Sequence, residues 1–347
     1  VFTDLATGWL ALAFVAAGAV VLGCGLRMTG LADRLADRTG LGEALVGGLL
    51  LGAATSLSGT IVSITSALDG RASLAFSNSI GGIAAQTAFL GLADLVFRRA
   101  NLEHAAAELT NIFQGLLLMV LLGLPVLALT LPEWTLLGVH PVSLAILLVY
   151  LFGLRASRGV REAPMWTPVH THDTRADTPE EEPAHVARRS TARLAAEFGL
   201  LMLAMGLAGW VIARTAAVGT DRLGLSASLV GALLTAVVTS LPELVTTLAA
   251  VRRGALQLAV GGIIGGNTFD TLFLTAADIS YREGSLYHAV GMQDYFWVAV
   301  GLLMTGTLTG GLILRERVGF ARIGSESAIM LALYAGAVAL QVALGGG

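Results

Sequence analysis

The chain has 347 residues, of which 55% are hydrophobic and only 13% charged, with a mean hydropathy of +0.77 and a net charge of -3. Soluble domains carry roughly 25% charged residues, so the composition excludes an ordinary soluble domain and points to an all-α integral membrane protein. The single cysteine, Cys24, cannot form an intrachain disulfide or a cysteine-based metal site and reads as packing.

A helix needs about 20 apolar residues to cross a hydrocarbon core of roughly 30 Å. The chain offers ten such runs, at 7–26, 41–68, 72–97, 106–131, 134–154, 194–214, 225–251, 256–280, 290–314 and 325–345. The first follows Val1 without a charged segment or a small-residue cleavage site, so it is expected to be a retained helix. Between the fifth and sixth runs, residues 155–193 carry PEEEPAH, several prolines and seven arginines, the composition of a mobile linker with no core of its own. HTHD at 170–173 lies in that linker and reads as a solvated loop, since no partner ligands stand at a metal-site spacing. All 21 basic residues are arginine, and placing the N-terminus outside puts 17 of them in cytoplasmic connections and four outside. That positive-inside bias predicts both termini outside and a cytoplasmic linker, and the expected location is the plasma membrane.

Shifting the sequence by 184 aligns residues 41–94 with 225–278 without a gap, and 20 of the 54 pairs are identical. The matches include TSL at 55–57 and 239–241, IGG at 80–82 and 264–266, and Asp94 with Asp278. Five spans separate each position from its twin, and an odd number forces the two copies into opposite orientations. The expected architecture is therefore two inverted five-helix repeats. These divide the chain into a half at 1–154 with the first repeat at about 41–97, the linker, and a half at 194–347 with the second repeat at about 225–280.

Pro242 and the glycines Gly59, Gly81, Gly82, Gly265 and Gly266 are expected to break the repeat helices, freeing carbonyls that a cation can occupy, although glycines in membrane helices also simply permit close packing. Glu243 and Asp270 sit well inside the seventh and eighth runs, where a charge costs at least about 2.5 to 3.5 kcal/mol. No arginine lies in the interior of a run to pair with them, so each must bind a proton or another cation. A permanently protonated acid making a structural hydrogen bond is the other reading. Asp94 and Asp278 fall near run ends, where a solvated or capping role is expected.

TSLPELVTTLAAVRRG followed by LAVGGIIGGNTFDTLFL resembles the second alpha-repeat of the sodium/calcium exchanger superfamily. ATSLSGTIVSITSALDG followed by LAFSNSIGGIAAQTAFL resembles a degenerate first alpha-repeat. The resemblance implies two broken helices per repeat and a cation site lined by Glu243, Asp270, Thr239 and Ser240 from the second copy and Thr55, Ser56 and Gln86 from the first. The chain departs from the family's pattern at Gly59, which replaces its first glutamate, at Gln86, and at Gly82 and Gly266, where the family often has serine. Calcium wants six to eight oxygens and compensating charge, so these departures weaken calcium binding without excluding it.

The reading is a secondary active antiporter exchanging Ca2+ or a monovalent cation against Na+ or H+. Glu243 is its principal ligand and proton acceptor and Asp270 the partner. The resemblance assigns the moving bundle to runs one and six, and Glu197, near the start of run six, is expected at the interface. A single chain is expected to act as a monomer, with inorganic cations and the lipid bilayer as partners, no nucleic acid, and no cofactor beyond the transported ions. A channel, or a non-transporting protein that kept the fold, are the alternatives. An enzyme is disfavoured, because neither HExxH nor GxSxG occurs inside a run.

Overall fold

A computed structural model describes residues 2–39, 55–97, 100–106, 108–169, 171–172, 174, 190–319 and 323–345. The start of the second run, Arg98, Arg99 and Arg322, His170 and Asp173 of HTHD, and the acidic stretch of the linker lie outside them. In chain order the helices are α1 (Thr7–Thr39), α2 (Leu57–Leu68), α3 (Ala72–Val96), the short α4 (Leu102–Ala105), α5 (Leu109–Thr130) and α6 (Pro141–Glu162). The second set is α7 (Thr191–Leu223), α8 (Ala227–Thr239), α9 (Leu241–Arg253), α10 (Leu256–Asp270), α11 (Leu272–Ser280), the short α12 (Leu286–Ala289), α13 (Met292–Leu314) and α14 (Ser325–Gly345). Seven of these are long and apolar enough to cross a membrane, and α8 with α9 makes an eighth span bent by 46°. α2 lies in the described part of the second run, and the interrupted pair α10–α11 occupies the eighth.

Helix ends follow local chemistry. α6 opens with Pro141 in its first turn while the His140 ring accepts the Val142 amide at 3.2 Å. α7 is capped by Ser190, which accepts the Arg193 amide at 3.3 Å, and ends on Gly224 in the left-handed region at φ 63°. The expected start of the fifth run at 134 is thus corrected to Pro141. Residues 131–140 form a turn with a Leu136–Val139 bridge, because Pro132 and Gly138 punctuate the apolar stretch and Leu137 and Gly138 take positive φ. The linker is likewise less free than its composition suggests. Residues 155–162 continue α6, Arg315 donates to Val169 O at 2.6 Å and Thr174 Oγ1 at 3.2 Å, and His104 Nε2 pairs with Thr171 Oγ1 at 2.9 Å.

The helix interruptions fall elsewhere than on the glycines. α3 runs unbroken through Gly81 and Gly82, α2 through Gly59 and α10 through Gly265 and Gly266, while the breaks lie at Ser240 and Thr271. A π-helical stretch, Val230–Thr235, also interrupts α8. Glycine here serves close approach: a methyl on Gly81 would stand 2.4 Å from Ala232 Cα. Helices from the two copies thereby cross at backbone contact, as small residues allow in membranes.

The repeat extends further than the sequence match. Asp94 accepts the Leu102 amide at 2.7 Å and the Gly324 amide at 2.8 Å, and its twin Asp278 accepts those of Leu286 at 3.0 Å and His140 at 2.8 Å. The partners are themselves 184 apart. Both aspartates cap backbone, as expected, yet both are fully buried and neither is solvated. The same offset relates Gly25 to Gly209. A methyl on Gly25 would stand 2.4 Å from Pro242 Cβ, and one on Gly209 would stand 2.7 Å from Ser58 O, Ser58 being the twin of Pro242.

The apolar core of the described residues falls into two large clusters and a small third one of Leu74, Ala216, Ala217 and Val230. One cluster joins α1 and α7 through Val21, Met28, Leu194, Met205 and Ile212 with Val62 of α2, while a larger one runs through α3, α5, α6 and α8 to α14. An ion pair of 2.6 Å between Arg27 and Glu197 ties α1 to α7. At the other end, Arg214 pairs with Asp69, and Arg71 with Asp221 at 2.5 Å. Gly81→Ala is expected to lower stability by about 1 to 3 kcal/mol through overpacking against α8, read as a fall in the thermal midpoint in detergent. Gly123→Ala, with nothing within 4 Å of the added methyl, is expected to leave that midpoint unchanged or raised.

Candidate cation-binding site

The break at Ser240 aims the second copy's acid inward. Pro242 occupies the first turn of α9, where its missing N–H removes no helix hydrogen bond. Glu243 follows in the same turn, at the partly positive end of the helix dipole. It is buried, its Oε2 has no hydrogen-bond partner, and the Thr55 side chain faces its carboxyl. Asp270, the last residue of α10, is buried close enough to act electrostatically on Glu243. Its Oδ2 accepts Gln86 Nε2 at 2.6 Å, its carbonyl accepts Ser79 Oγ at 2.8 Å, Ser56 faces its carboxyl, and Oδ1 has no partner.

The first copy supplies amide and hydroxyl groups. Gln86 Nε2 also reaches Ser240 Oγ at 3.2 Å, and its Oε1 has no partner. Gly82 borders the same group, since a methyl there would stand 3.6 Å from Ser240 Oγ and 4.0 Å from both Asp270 Oδ2 and Gln86 Nε2. A methyl on Gly266 would stand 3.5 Å from Gln86 Oε1. The structure thus brings together Glu243, Asp270, Ser240, Gln86, Thr55, Ser56, Gly82 and Gly266. Thr239 is buried one residue away, with its hydroxyl donating to Thr235 O at 2.9 Å. Gly81 packs on Ala232, and the nearest neighbour a methyl on Gly265 would meet is Gln114 Oε1 at 3.9 Å.

Gly59 has a steric explanation. A methyl there would stand 2.7 Å from Phe273 Cε2, so the Phe273 ring fills the space that a side chain corresponding to Glu243 would need. Phe269 stacks edge-on against both Phe273 and Tyr150, which fixes this plug in an aromatic row.

Two polar residues and one aromatic one escaped the sequence reading. Asn267 is buried, donates to Thr87 Oγ1 at 2.9 Å and leaves its Oδ1 without a partner. Asn78 donates to Gly59 O at 3.1 Å and to Ser63 Oγ at 3.0 Å, and accepts Thr235 Oγ1 at 2.8 Å, so it laces α3 to α2 and α8. The amides inside LAFSNSIGG and IIGGNTFD were the available signal, since a buried amide in a membrane helix needs partners. Phe273 carried no signal, because an apolar residue in an apolar run is unremarkable.

Glu243 Oε2, Asp270 Oδ1 and Gln86 Oε1 are buried acceptors without a donor. No salt bridge among the described residues involves either acid. An oxygen-only donor set bearing two carboxylates suits hard cations or protons as cargo.

Comparison with known proteins agrees with this architecture. The family profile described as "Sodium/calcium exchanger protein" matches residues 9–156 and 195–343. The inner membrane protein YrbG of Escherichia coli (strain K12) is 26% identical over 270 residues, covering 78% of this chain and 79% of its own. CaxA of Alkalimonas amylolytica is 27% identical over 277 residues, covering 79% and 81%. Among solved structures, the H+/Ca2+ exchanger CAX aligns over 97% of this chain and 86% of its own with a TM-score of 0.63 at 13% identity. The sodium-calcium exchanger NCX_Mj aligns over 95% and 98% with a TM-score of 0.61 at 19% identity. In sequence over most of its length, and in fold throughout, this multi-pass membrane protein belongs to the sodium/calcium exchanger family.

Proposed function

We propose that the chain is a secondary active cation antiporter working by alternating access, with Glu243 as the principal ligand and proton acceptor and Asp270 as its partner. The observation that carries this reading is the group of three buried acceptors without donors, Glu243 Oε2, Asp270 Oδ1 and Gln86 Oε1. Two carboxylates away from water and without a basic partner call for positive charge from the cargo. Ser240, Thr55 and Ser56 complete the shell, Thr239 contributes from the adjacent position with a hydroxyl whose proton goes to Thr235 O, and Asn267 adds an amide oxygen nearby in sequence. Membership of a transporter family whose solved relatives include H+/Ca2+ and sodium-calcium exchangers supports the class of activity.

The exchanged ions are Na+ or H+ against a second cation. Calcium is handicapped, because Phe273 occupies the place of a further carboxylate at Gly59. Two acids balance one Ca2+, or two monovalent ions. α1 and α7 form the moving bundle, which fits their own apolar cluster and the bare glycine contacts, Gly25 on Pro242 and Gly209 on Ser58, by which they rest on the site-bearing segments. The chain sits in the plasma membrane as two transmembrane halves, and arginine placement supports a cytoplasmic linker and outward-facing termini. The chain acts as a monomer.

In liposomes, imposed sodium, proton and calcium gradients tested in pairs are expected to give flux only when a counter-cation is present. Uncoupled flux of one ion would indicate a channel. Glu243→Gln and Asp270→Asn are each expected to lower exchange at least about tenfold, or ~1.4 kcal/mol. Unchanged rates in both would remove the assignment. Gly59→Glu alone is expected to lower the thermal midpoint by clashing with Phe273, and the double substitution Gly59→Glu, Phe273→Ala to recover it and raise calcium flux relative to the parent.

A further inference from the structure

A second group of acids lies away from the transport pocket, where the loop after α3 meets the start of α14. Asp94 caps this corner just as its twin Asp278 caps the opposite one. Around Asp278 the twin positions hold Tyr287 and Val142, whereas around Asp94 they hold Glu103 and Glu326. Ser143 pairs with the Tyr287 hydroxyl at 2.8 Å, and its twin Ser327 donates to Glu103 Oε1 at 2.9 Å. The fold therefore closes the Asp278 corner without acids at the positions of Glu103 and Glu326, so capping does not require the two glutamates.

Glu103 is 1% exposed and Glu326 5% exposed, and the Oε2 atom of each has no hydrogen-bond partner. A methyl on Gly324 would stand 3.2 Å from both of these oxygens, so they border one small gap that the glycine leaves open. The other charged groups facing this corner are held by other partners, with only Arg315 Nε buried without one. His104 on α4 holds Arg315 O and Thr171 Oγ1 through its ring, and the Arg315 guanidinium is directed at Val169 O, His104 O and Thr174 Oγ1. Glu316 accepts from Ser325, and the Arg317 carbonyl accepts the Asn101 amide. Among the described residues no salt bridge reaches Asp94, Glu103 or Glu326.

We propose that Glu103 and Glu326, beside Asp94, form a proton-binding site distinct from the transport pocket and hold one proton between them. A neutral carboxyl on one glutamate donates to the orphan oxygen of the other, which satisfies both. Calcium fits poorly, since it takes six to eight oxygens, both Asp94 oxygens are spent on amides, and no metal-holding cluster of acids exists among the described residues. Burial first, then the neighbouring Asp94, pushes the Glu103 carboxyl from 4.5 up to about 7. Because its value is raised on folding, its stabilising contribution is full below the unfolded value and is lost as pH rises through about 7. Deprotonation leaves two carboxylates across the Gly324 gap and loosens α4 from α14.

The test uses the full chain in detergent carrying Glu243→Gln and Asp270→Asn, so that the transport pocket does not titrate. Thermal midpoints are measured between about pH 5 and 8, with and without calcium, and neutral carboxyl groups are followed by infrared spectroscopy. The expected result is a midpoint that falls as pH rises through neutrality, together with a neutral-carboxyl band at low pH. Both features are lost in Glu103→Gln, and the pH-dependent fall is lost in Glu103→Tyr, which borrows the residue of the opposite corner. If Glu103→Gln does not fold, loss of the band in Glu326→Gln serves the same purpose. The proposal is overturned if the fall and the band persist in both glutamine variants, or if calcium raises the parent's midpoint at neutral pH and fails to do so in Glu103→Tyr.

Discussion

The hydrogen bond from Gln86 Nε2 to Asp270 Oδ2, 2.6 Å long and fully buried, joins one copy of the repeat to the other at equivalent positions. A buried carboxylate without a basic partner is costly unless its oxygens are satisfied. Gln86 satisfies one oxygen of Asp270 and, by using its only NH2 group there and on Ser240, leaves its own carbonyl oxygen beside Gly266 without a donor. The amide thus fixes the acid and adds a ligand atom, tasks that a second carboxylate could not combine without further positive charge.

The asymmetry of the pocket and the symmetry of the fold have separate physical sources. Backbone features obey the 184-residue offset closely in the aspartate caps and in the glycine contacts of α1 and α7, whereas the break at Thr271 has no counterpart at Thr87 inside the continuous α3. Side-chain chemistry departs from it wherever function is local. Glu243 faces Gly59, Asp270 faces Gln86, and Glu103 faces Tyr287 across the pseudo-symmetry. Packing of two inverted copies constrains Cβ positions, whereas charge is free to differ between them provided that its partners differ too. Phe273 against Gly59 shows how an apolar ring can complete one copy where an acid completes the other.

Much of this was legible in the sequence because the membrane imposes simple rules. Apolar run length gave the helices, and a gap-free offset with Asp94 and Asp278 in register gave the repeat. Two acids in apolar surroundings gave the centre of the pocket. What sequence could not supply was the role of each glycine. Gly81 and Gly265 look alike in IGG and GG, yet one meets a backbone at contact distance and the other does not. Helix hydrogen bonding survives a glycine whenever neighbouring helices hold it, so the breaks moved to Ser240 and Thr271. Asn78 and Asn267 were hidden because an amide becomes informative only when its partners, on other helices, are known.

A double-mutant cycle on cation-induced stabilisation probes most directly whether both copies build the pocket. The shift in thermal midpoint on adding sodium or calcium is measured for the parent, Gln86→Ala, Glu243→Gln and the double variant. If the site spans the repeats, the shift is reduced in each single variant and the two losses are not additive. A cation shift that survives intact in Gln86→Ala while vanishing in Glu243→Gln would contradict a pocket shared between the copies.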